Sequence, residues 1–179
     1  MDRNVLITIH MYLSAFFAPA VLLVAISGGL YLFGIKGKVE TDSIFQSDNR
    51  VIDTSSASLK DDIAALLAEA GVEAFSFEYV KVKGDTLYTR PTSSEHSIIN
   101  LNPGGVEVVH ARPSLQKRMI ELHMGHGPTA FKTFQKVFAI GLILVMISGL
   151  WLGISAQRLR RSTSLTFAAG TLAFGLLLL

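Results

Sequence analysis

The sequence predicts an α-helical membrane protein with about three membrane-spanning helices and a small α+β domain inserted between the first two. Half of the 179 residues are hydrophobic (50%), and the mean hydropathy of +0.44 is high for a water-soluble domain of this length. The apolar residues are concentrated in stretches 5–33, 137–154 and 165–179, whereas nearly all the charged residues lie between the first two stretches. Long uncharged stretches of this kind are typical of membrane helices.

Residues 1–35 are predicted to hold the first membrane helix. At a rise of about 1.5 Å per residue, a helix over residues 4–34 would reach ~45 Å, enough to cross the hydrocarbon layer and both headgroup layers. This stretch is too long for a cleaved signal peptide, and Pro19 is expected to kink the helix. Residues 128–156 predict the second membrane helix. Residues 162–179 are apolar and uncharged, and they predict a third, short one.

Residues 36–112 are predicted to form a linker, over the polar residues 35–56, followed by an α+β domain. Ser58 and Gly71 bracket an amphipathic segment as a helix cap and a helix stop. Beyond Gly71 the apolar residues alternate with polar ones, at Phe75, Phe77 and Tyr79, which indicates strands. We expect about four antiparallel strands, then an amphipathic helix within 113–127 that opens at Pro113 and lies at the membrane surface. The later strands are predicted at Thr86–Arg90, His96–Leu101 and Val106–His110, with turns at Lys83-Gly84-Asp85 and Asn102-Pro103-Gly104-Gly105.

The composition excludes several functional classes. The net charge is only +2, and no basic stripe with interleaved aromatic residues supports nucleic-acid binding. The chain has no cysteine, which excludes disulfides, thiolate metal sites and iron–sulfur ligation. No motif sets a nucleophile beside a base, as a hydrolase requires, and the apolar stretches hold no carboxylate of the kind that a transporter uses.

The short loop with Arg158, Arg160 and Arg161 predicts the orientation of the chain. Basic residues in short loops favour the cytoplasmic side. Lys36, Lys38, Lys132 and Lys136 argue for the opposite orientation, but a connection of about 80 residues is translocated largely regardless of its charge. We therefore expect a cytoplasmic N-terminus and an α+β domain outside the cytoplasm.

The motif Ile-Ser-Gly occurs near the end of both long apolar stretches. It occurs at residues 26–28 and again at residues 147–149, and histidine residues stand near the start of each stretch. Because two consecutive membrane helices run antiparallel, the histidine of one helix should lie beside the Ser-Gly pair of the other. The expected groups are His10 with Ser148 and Gly149, and His123 and His126 with Ser27 and Gly28.

A haem group suits this pattern, because a flat macrocycle needs an imidazole for its iron and a helix surface without bulky side chains. We therefore expect these seven residues to bind haem b, with His10 and His123 as iron ligands. Other interpretations remain open: Ser-Gly pairs serve close helix packing, and His123 with His126 suits a surface metal ion. One chain lacks paired histidines at each membrane face, so a haem protein of this kind would be a homodimer.

The order of these features resembles the PepSY-associated transmembrane family of bacterial inner-membrane proteins. The resemblance covers roughly residues 5–155, from His10 through residues 98–109 and 121–127 to Trp151. It implies a periplasmic PepSY domain. Better-understood relatives include ferric-siderophore reductases, which carry b-type haems between histidine-bearing helices. By this resemblance His10 matches the early histidine of the first helix and His123 the leucine-histidine motif. The present chain has fewer spans than those reductases and a single PepSY unit.

Two functions follow from the sequence. The first is haem-based electron transfer across the inner membrane, with ferric iron or a siderophore complex as a possible acceptor. The alternative is a non-enzymatic accessory or regulatory subunit, whose periplasmic domain binds a protein partner through a free edge of its sheet. Both functions place the chain in membrane lipid, as a homodimer or within a larger membrane complex.

Overall fold

The structure is a computed structural model that describes residues 2–72 and 76–179. The chain forms two compact units, one of residues 1–21 with 136–179 and one of residues 22–135. The helices are α1 Arg3–Leu32, α2 Leu59–Glu69, α3 Leu115–His123, α4 Thr129–Ser155 and α5 Arg160–Leu177. The strands are β1 Val39–Asp48, β2 Tyr79–Lys83, β3 Thr86–Arg90, β4 His96–Asn102 and β5 Gly105–Pro113.

Helices α1 and α4 have the length and composition of membrane spans. They contain 30 and 27 residues, so they reach about 45 and 40 Å. Only 11% of the most apolar window of each helix is buried inside the molecule, which leaves apolar side chains facing outward. Within the described residues these are the two helices that meet both criteria. The predicted helix near residues 162–179 is confirmed as α5, which begins with Arg160 and Arg161. That α5 crosses the membrane stays a prediction.

Helices α1 and α4 pack against each other in the first unit through an aromatic contact. Phe17 lies 5.8 Å from Phe138 between ring centroids, and both side chains are buried. The Phe17 ring also lies where a Cβ on Gly141 would stand, so the glycine makes room for it. Pro19 lies inside α1 as expected, and the kink that it should cause stays a prediction.

The α+β domain is a five-stranded antiparallel sheet with strand order β1-β5-β4-β3-β2. One face of the sheet packs on α2. Ile63, Leu66 and Leu67 of the helix are buried there. The sheet contributes the alternate residues Leu87, Ile99, Val106 and Val108 to the same core. The predicted turns at Gly84 and at Pro103-Gly104 are confirmed, and they set the register of the two hairpins.

The predicted ends of α2 are confirmed in position but not in every contact. Gly71 has φ +74, and the Val72 amide donates to the carbonyl of Leu67, which is the glycine-terminated end that the sequence suggests. Ser58 precedes the helix, but its hydroxyl donates to Asp62 and makes no capping hydrogen bond to the backbone.

The expectation that residues 35–56 form a linker is wrong. They contain β1, which pairs with β5 from Val39 opposite Pro113 to Asp48 opposite Gly105. The described residues therefore hold five strands, one more than predicted. Strand β1 shows no alternation of apolar and polar residues, because most of its side chains are exposed. It is a strand because its backbone forms hydrogen bonds with β5. Phe75 lies outside the described residues, and β2 begins at Tyr79.

The amphipathic helix in residues 113–127 begins two residues later than predicted. Pro113 ends β5, and Ser114 caps α3 by accepting a hydrogen bond from the Lys117 amide. The Ser114 hydroxyl also accepts from the Lys38 amide at 3.1 Å, which fastens the start of α3 to the residue before β1. Gly37, with φ +69, lies here too, and a Cβ on it would stand 2.5 Å from the Lys117 nitrogen.

Gly105 is the position where the β1–β5 contact is least tolerant of a side chain. A Cβ at Gly105 would collide with the Ser47 carbonyl oxygen and lie 3.0 Å from the Asp48 Cα. We expect Gly105→Ala to destabilise the domain by about 1–3 kcal/mol, because the clash is with backbone that cannot rotate away. Thermal unfolding of the full chain in detergent measures this change.

Gly104→Ala is the matched control. No atom lies within 4 Å of a Cβ at Gly104, and its φ is not in the left-handed region. An equal loss of stability in both variants would contradict the steric explanation.

Candidate functional site

His10 lies on α1 beside the Ser-Gly pair of α4, within the first unit. Its Nδ1 is 2.9 Å from the Ser148 Oγ. The Ser148 hydroxyl donates to the Val145 carbonyl at 3.1 Å, one turn back along α4. The imidazole lies against Gly149, where an added Cβ would stand 3.1 Å from the His10 Cε1. The juxtaposition expected from the sequence is therefore present.

His123 lies at the end of α3 beside the Ser-Gly pair of α1, within the second unit. Its Nδ1 is 3.0 Å from the Ser27 Oγ, and Ser27 is 1% exposed. The Ser27 hydroxyl contacts the carbonyl oxygens of Leu23 at 2.6 Å and Val24 at 3.2 Å. An added Cβ on Gly28 would stand 3.3 Å from the His123 Cε1. The same group of histidine, serine and glycine thus occurs twice.

These hydrogen bonds assign the proton on each imidazole. A serine hydroxyl has one proton, and both serines direct theirs at a backbone carbonyl, which can only accept. In that arrangement the serine oxygen accepts from the histidine, so we infer that Nδ1 carries the proton when the ring is neutral. The Nε2 lone pair of His10 and of His123 remains available, because neither makes a hydrogen bond within residues 2–72 and 76–179. A metal-binding histidine is commonly arranged in this way.

The position of His123 depends on how α3 is held at its far end. The Gln135 side chain donates to the Leu122 carbonyl at 2.8 Å, next to His123. The chain then turns at Gly125, with φ +76, and a Cβ on Gly127 would stand 2.8 Å from the Leu122 side chain. The glycine-rich segment after α3 therefore lets the chain turn back against Leu122. This contact holds the last turn of the helix in place.

Glu121 connects α3 to the sheet. Its side chain is 8% exposed, and its carboxylate accepts hydrogen bonds from Thr92 at 2.7 Å and from Lys117 at 2.9 Å. The His126 Nδ1 donates to the same carboxylate at 2.7 Å. Burial raises the pKa of Glu121, but the hydrogen bonds from Thr92, Lys117 and His126 outweigh burial and hold the pKa below its usual value. The residue is therefore a buried carboxylate anion with several donors around it.

The predicted histidines separate into two groups. His10 and His123 each lie beside a Ser-Gly pair, whereas His126 is bonded to Glu121 at 2.7 Å. Among the described residues, no group of three or more histidine, cysteine, aspartate or glutamate side chains is arranged to hold a metal ion. The roles of His10, His123 and His126 as ligands therefore stay predictions.

Sequence reasoning missed Glu121 and its partners. Thr92 lies 29 residues away in the chain, and Arg90 donates to the Thr92 hydroxyl at 2.6 Å. Arg118 of α3 also donates to the Ser93 carbonyl at 3.1 Å, in the same β3–β4 connection. An available signal was the i, i+4 spacing of Lys117 and Glu121 in α3, but that spacing does not identify Thr92 as a partner.

A comparison with known families identifies the class of protein to which the chain belongs. The family described as the PepSY-associated TM region matches residues 7–174, so the chain belongs to this family of membrane proteins. The match includes most of α1 and of α5, together with the sheet, α2, α3 and α4 between them. No curated protein matches the chain, and no solved structure does.

The tautomer assignment is testable. We expect ¹⁵N spectra of histidine-labelled protein to show His10 and His123 in the Nδ1–H form. Ser148→Ala removes the acceptor from His10 and should return that ring to a mixture of tautomers, while His123 is unchanged. Ser27→Ala should do the converse, so each variant is the control for the other. An Nε2–H form at either histidine in the unsubstituted protein would contradict the assignment.

The role of Glu121 in stability gives a second prediction. Glu121→Ala leaves the buried Thr92 hydroxyl without its acceptor and removes the partner of the more exposed Lys117 and His126, so we expect a loss of about 1–3 kcal/mol. Glu95→Ala is the control, because the Glu95 side chain is 52% exposed, and a contact made by an exposed carboxylate contributes only about 0–1 kcal/mol. Thermal unfolding of both variants in the same detergent compares them, and equal losses would contradict a special role for Glu121.

Proposed function

We propose that this protein binds b-type haem through His10 and His123 and serves electron transfer in the membrane. The observation that carries the proposal is the repeated group of residues, in which the histidine Nδ1 contacts a serine hydroxyl at 2.9 or 3.0 Å and the ring lies on a glycine. In both groups the Nε2 makes no hydrogen bond within the described residues. The family match supports a PepSY-type membrane protein as the setting.

The residues fit haem better than a bare metal ion. A protein zinc site needs about three or four side-chain ligands, and within the described residues no cluster of three exists. In haem the ring nitrogens provide the equatorial ligands, so the protein needs to supply only axial imidazoles. A single histidine beside residues without bulky side chains is consistent with that division.

The chain's own residues would hold and tune such a group. Ser27 and Ser148 fix the tautomer and the ring angle of the two histidines, and a hydrogen-bonded Nδ1–H makes the Nε2 a stronger ligand. Gly28 and Gly149 keep the ring edge unobstructed, since an added Cβ would approach the imidazole to 3.3 or 3.1 Å. When bound, haem supplies one-electron oxidation and reduction.

A homodimer follows from this proposal. Each group holds one histidine, and a low-spin b-type haem takes two axial imidazoles. A second copy of the chain would supply the other histidine at each site. The basic loop with Arg158 predicts that the domain lies outside the cytoplasm, which for a bacterial inner-membrane protein is the periplasm.

An absorption spectrum tests the proposal. We expect protein produced with added haem to show a Soret band and sharp α bands on reduction. His10→Ala and His123→Ala should each lower the haem content by about half or more, and His110→Ala should not. Ser27→Ala and Ser148→Ala should weaken haem binding by about 10–100-fold, since they remove the hydrogen bond that orients the ligand.

Absence of a Soret band in the unsubstituted protein would overturn the haem proposal. Unchanged function in the cell after substitution of both histidines would favour an accessory subunit that acts through its α+β domain. The exposed edge strands β1 and β2 would then be the place for a partner strand to pair.

A further inference from the structure

The second face of the sheet forms a cleft with α3. Residues on one face of β2, β3 and β4 alternate with the core residues, so Tyr88 and Ile98 point away from α2 and are paired in register. The cleft encloses about 410 Å³. Its polar walls come from Lys81, Lys83, Arg90, Thr92, His96, Lys117, Glu121 and His126.

The charges that line this cleft are unbalanced. Lys81, Lys83, Arg90 and Lys117 are cationic, whereas Glu121 is the one carboxylate in the lining. That carboxylate already accepts hydrogen bonds from Thr92, Lys117 and His126. No acidic side chain within residues 2–72 and 76–179 forms a salt bridge with Lys81 or Lys83. The cleft therefore has an excess of positive charge that the described residues do not neutralise.

Arg90 adds a donor that lacks an acceptor. Its side chain is 13% exposed, and one terminal nitrogen donates to Thr92 and lies 3.9 Å from the Glu121 carboxylate. The Arg90 Nε is buried and has no hydrogen-bond partner among the described residues. Buried N–H groups normally have partners, so this guanidinium adds an uncompensated donor to the wall of the cleft.

We propose that this cleft binds an organic anion, with a carboxylate or phosphate group at Arg90, Lys81 and Lys83. The apolar surface of Tyr88 and Ile98 forms the floor beside those cations, so the ligand carries an apolar part as well. Guanidinium and ammonium groups together suit both carboxylate and phosphate oxygens. The anion comes from a soluble metabolite or from the headgroup of an anionic lipid. This site involves neither His10 nor His123 and does not depend on haem.

Titration calorimetry of the full chain in neutral detergent tests the proposal. The probes are citrate, dihexanoyl phosphatidylglycerol and, as the uncharged-headgroup comparison, dihexanoyl phosphatidylcholine. We expect saturable binding of at least one anionic probe and none of phosphatidylcholine. Binding of citrate alone identifies a soluble ligand, and binding of phosphatidylglycerol alone identifies a lipid headgroup, and each result supports the proposal.

Substitutions then locate the binding. Lys81→Gln with Lys83→Gln should weaken the bound probe at least tenfold, and both side chains are exposed, so the fold should persist. Arg90→Gln should weaken it further, and its melting temperature reports whether the domain still folds. Lys60→Gln is the matched control, because Lys60 belongs to α2 on the opposite face of the sheet. Binding should also be unchanged when His10 and His123 are both replaced by alanine.

Two results would overturn the proposal. One is the absence of saturable binding by either anionic probe. The other is an equal effect of Lys60→Gln and of the double lysine variant, which would indicate non-specific attraction to a basic protein. Because the double histidine variant is tested in the same series, loss of haem and loss of anion binding are distinguished.

Discussion

The carboxylate of Glu121 is the interaction on which the arrangement of α3 depends. This helix follows directly from β5 and ends at His123, so it lies between the sheet and a candidate ligand. On the sheet side, Glu121 accepts from Thr92, and the Arg118 side chain donates to the Ser93 carbonyl. A charge in a buried position is stable only with such donors, and once they are present it resists any shift of the helix. The carboxylate thereby holds the last turn of α3, which carries His123.

The two histidine groups have the same arrangement of residues but are built from different helices. In one, the imidazole belongs to a membrane helix, and in the other it belongs to the short helix α3. In both, the serine hydroxyl lies within hydrogen-bond distance of its own backbone carbonyl one turn earlier, from which we infer that it accepts from the imidazole. This arrangement uses small residues twice: serine to orient the ring and glycine to admit it. Close packing of helices explains the glycines alone, but it does not explain a histidine oriented at each one.

The sheet has two faces with separate roles. Leu87 and Ile99 point into the core with α2, and their neighbours Tyr88 and Ile98 point into the cleft. The core face needs only apolar residues of suitable volume, and alternation along the strands supplies them. The opposite face does not pack into the core, so its positions can hold cationic side chains. The domain therefore combines a stabilising face with a face that is suited to binding.

Much of this protein follows from local sequence alone. The long uncharged stretches determine α1 and α4, because a backbone in lipid must satisfy its hydrogen bonds within a helix. The glycine stop at Gly71 and the turn at Pro103-Gly104 likewise follow from chain geometry. The pairing of His10 with Ser148 was predictable because antiparallel helices bring the start of one to the end of the other.

Other features were decided only by tertiary structure. Strand β1 has too few apolar residues to show a pattern, and it is a strand because β5 offers its backbone hydrogen bonds. The hydrogen bond from Thr92 to Glu121 joins residues far apart in the chain. Lys81, Arg90 and Lys117 come from different elements and line the same cleft. Local sequence determines which segments are helices and which are turns, because those choices depend on neighbouring residues. The i, i+4 spacing offers Lys117 as a partner of Glu121, but the bond from Thr92 depends on how the segments pack, and no local pattern carries that information.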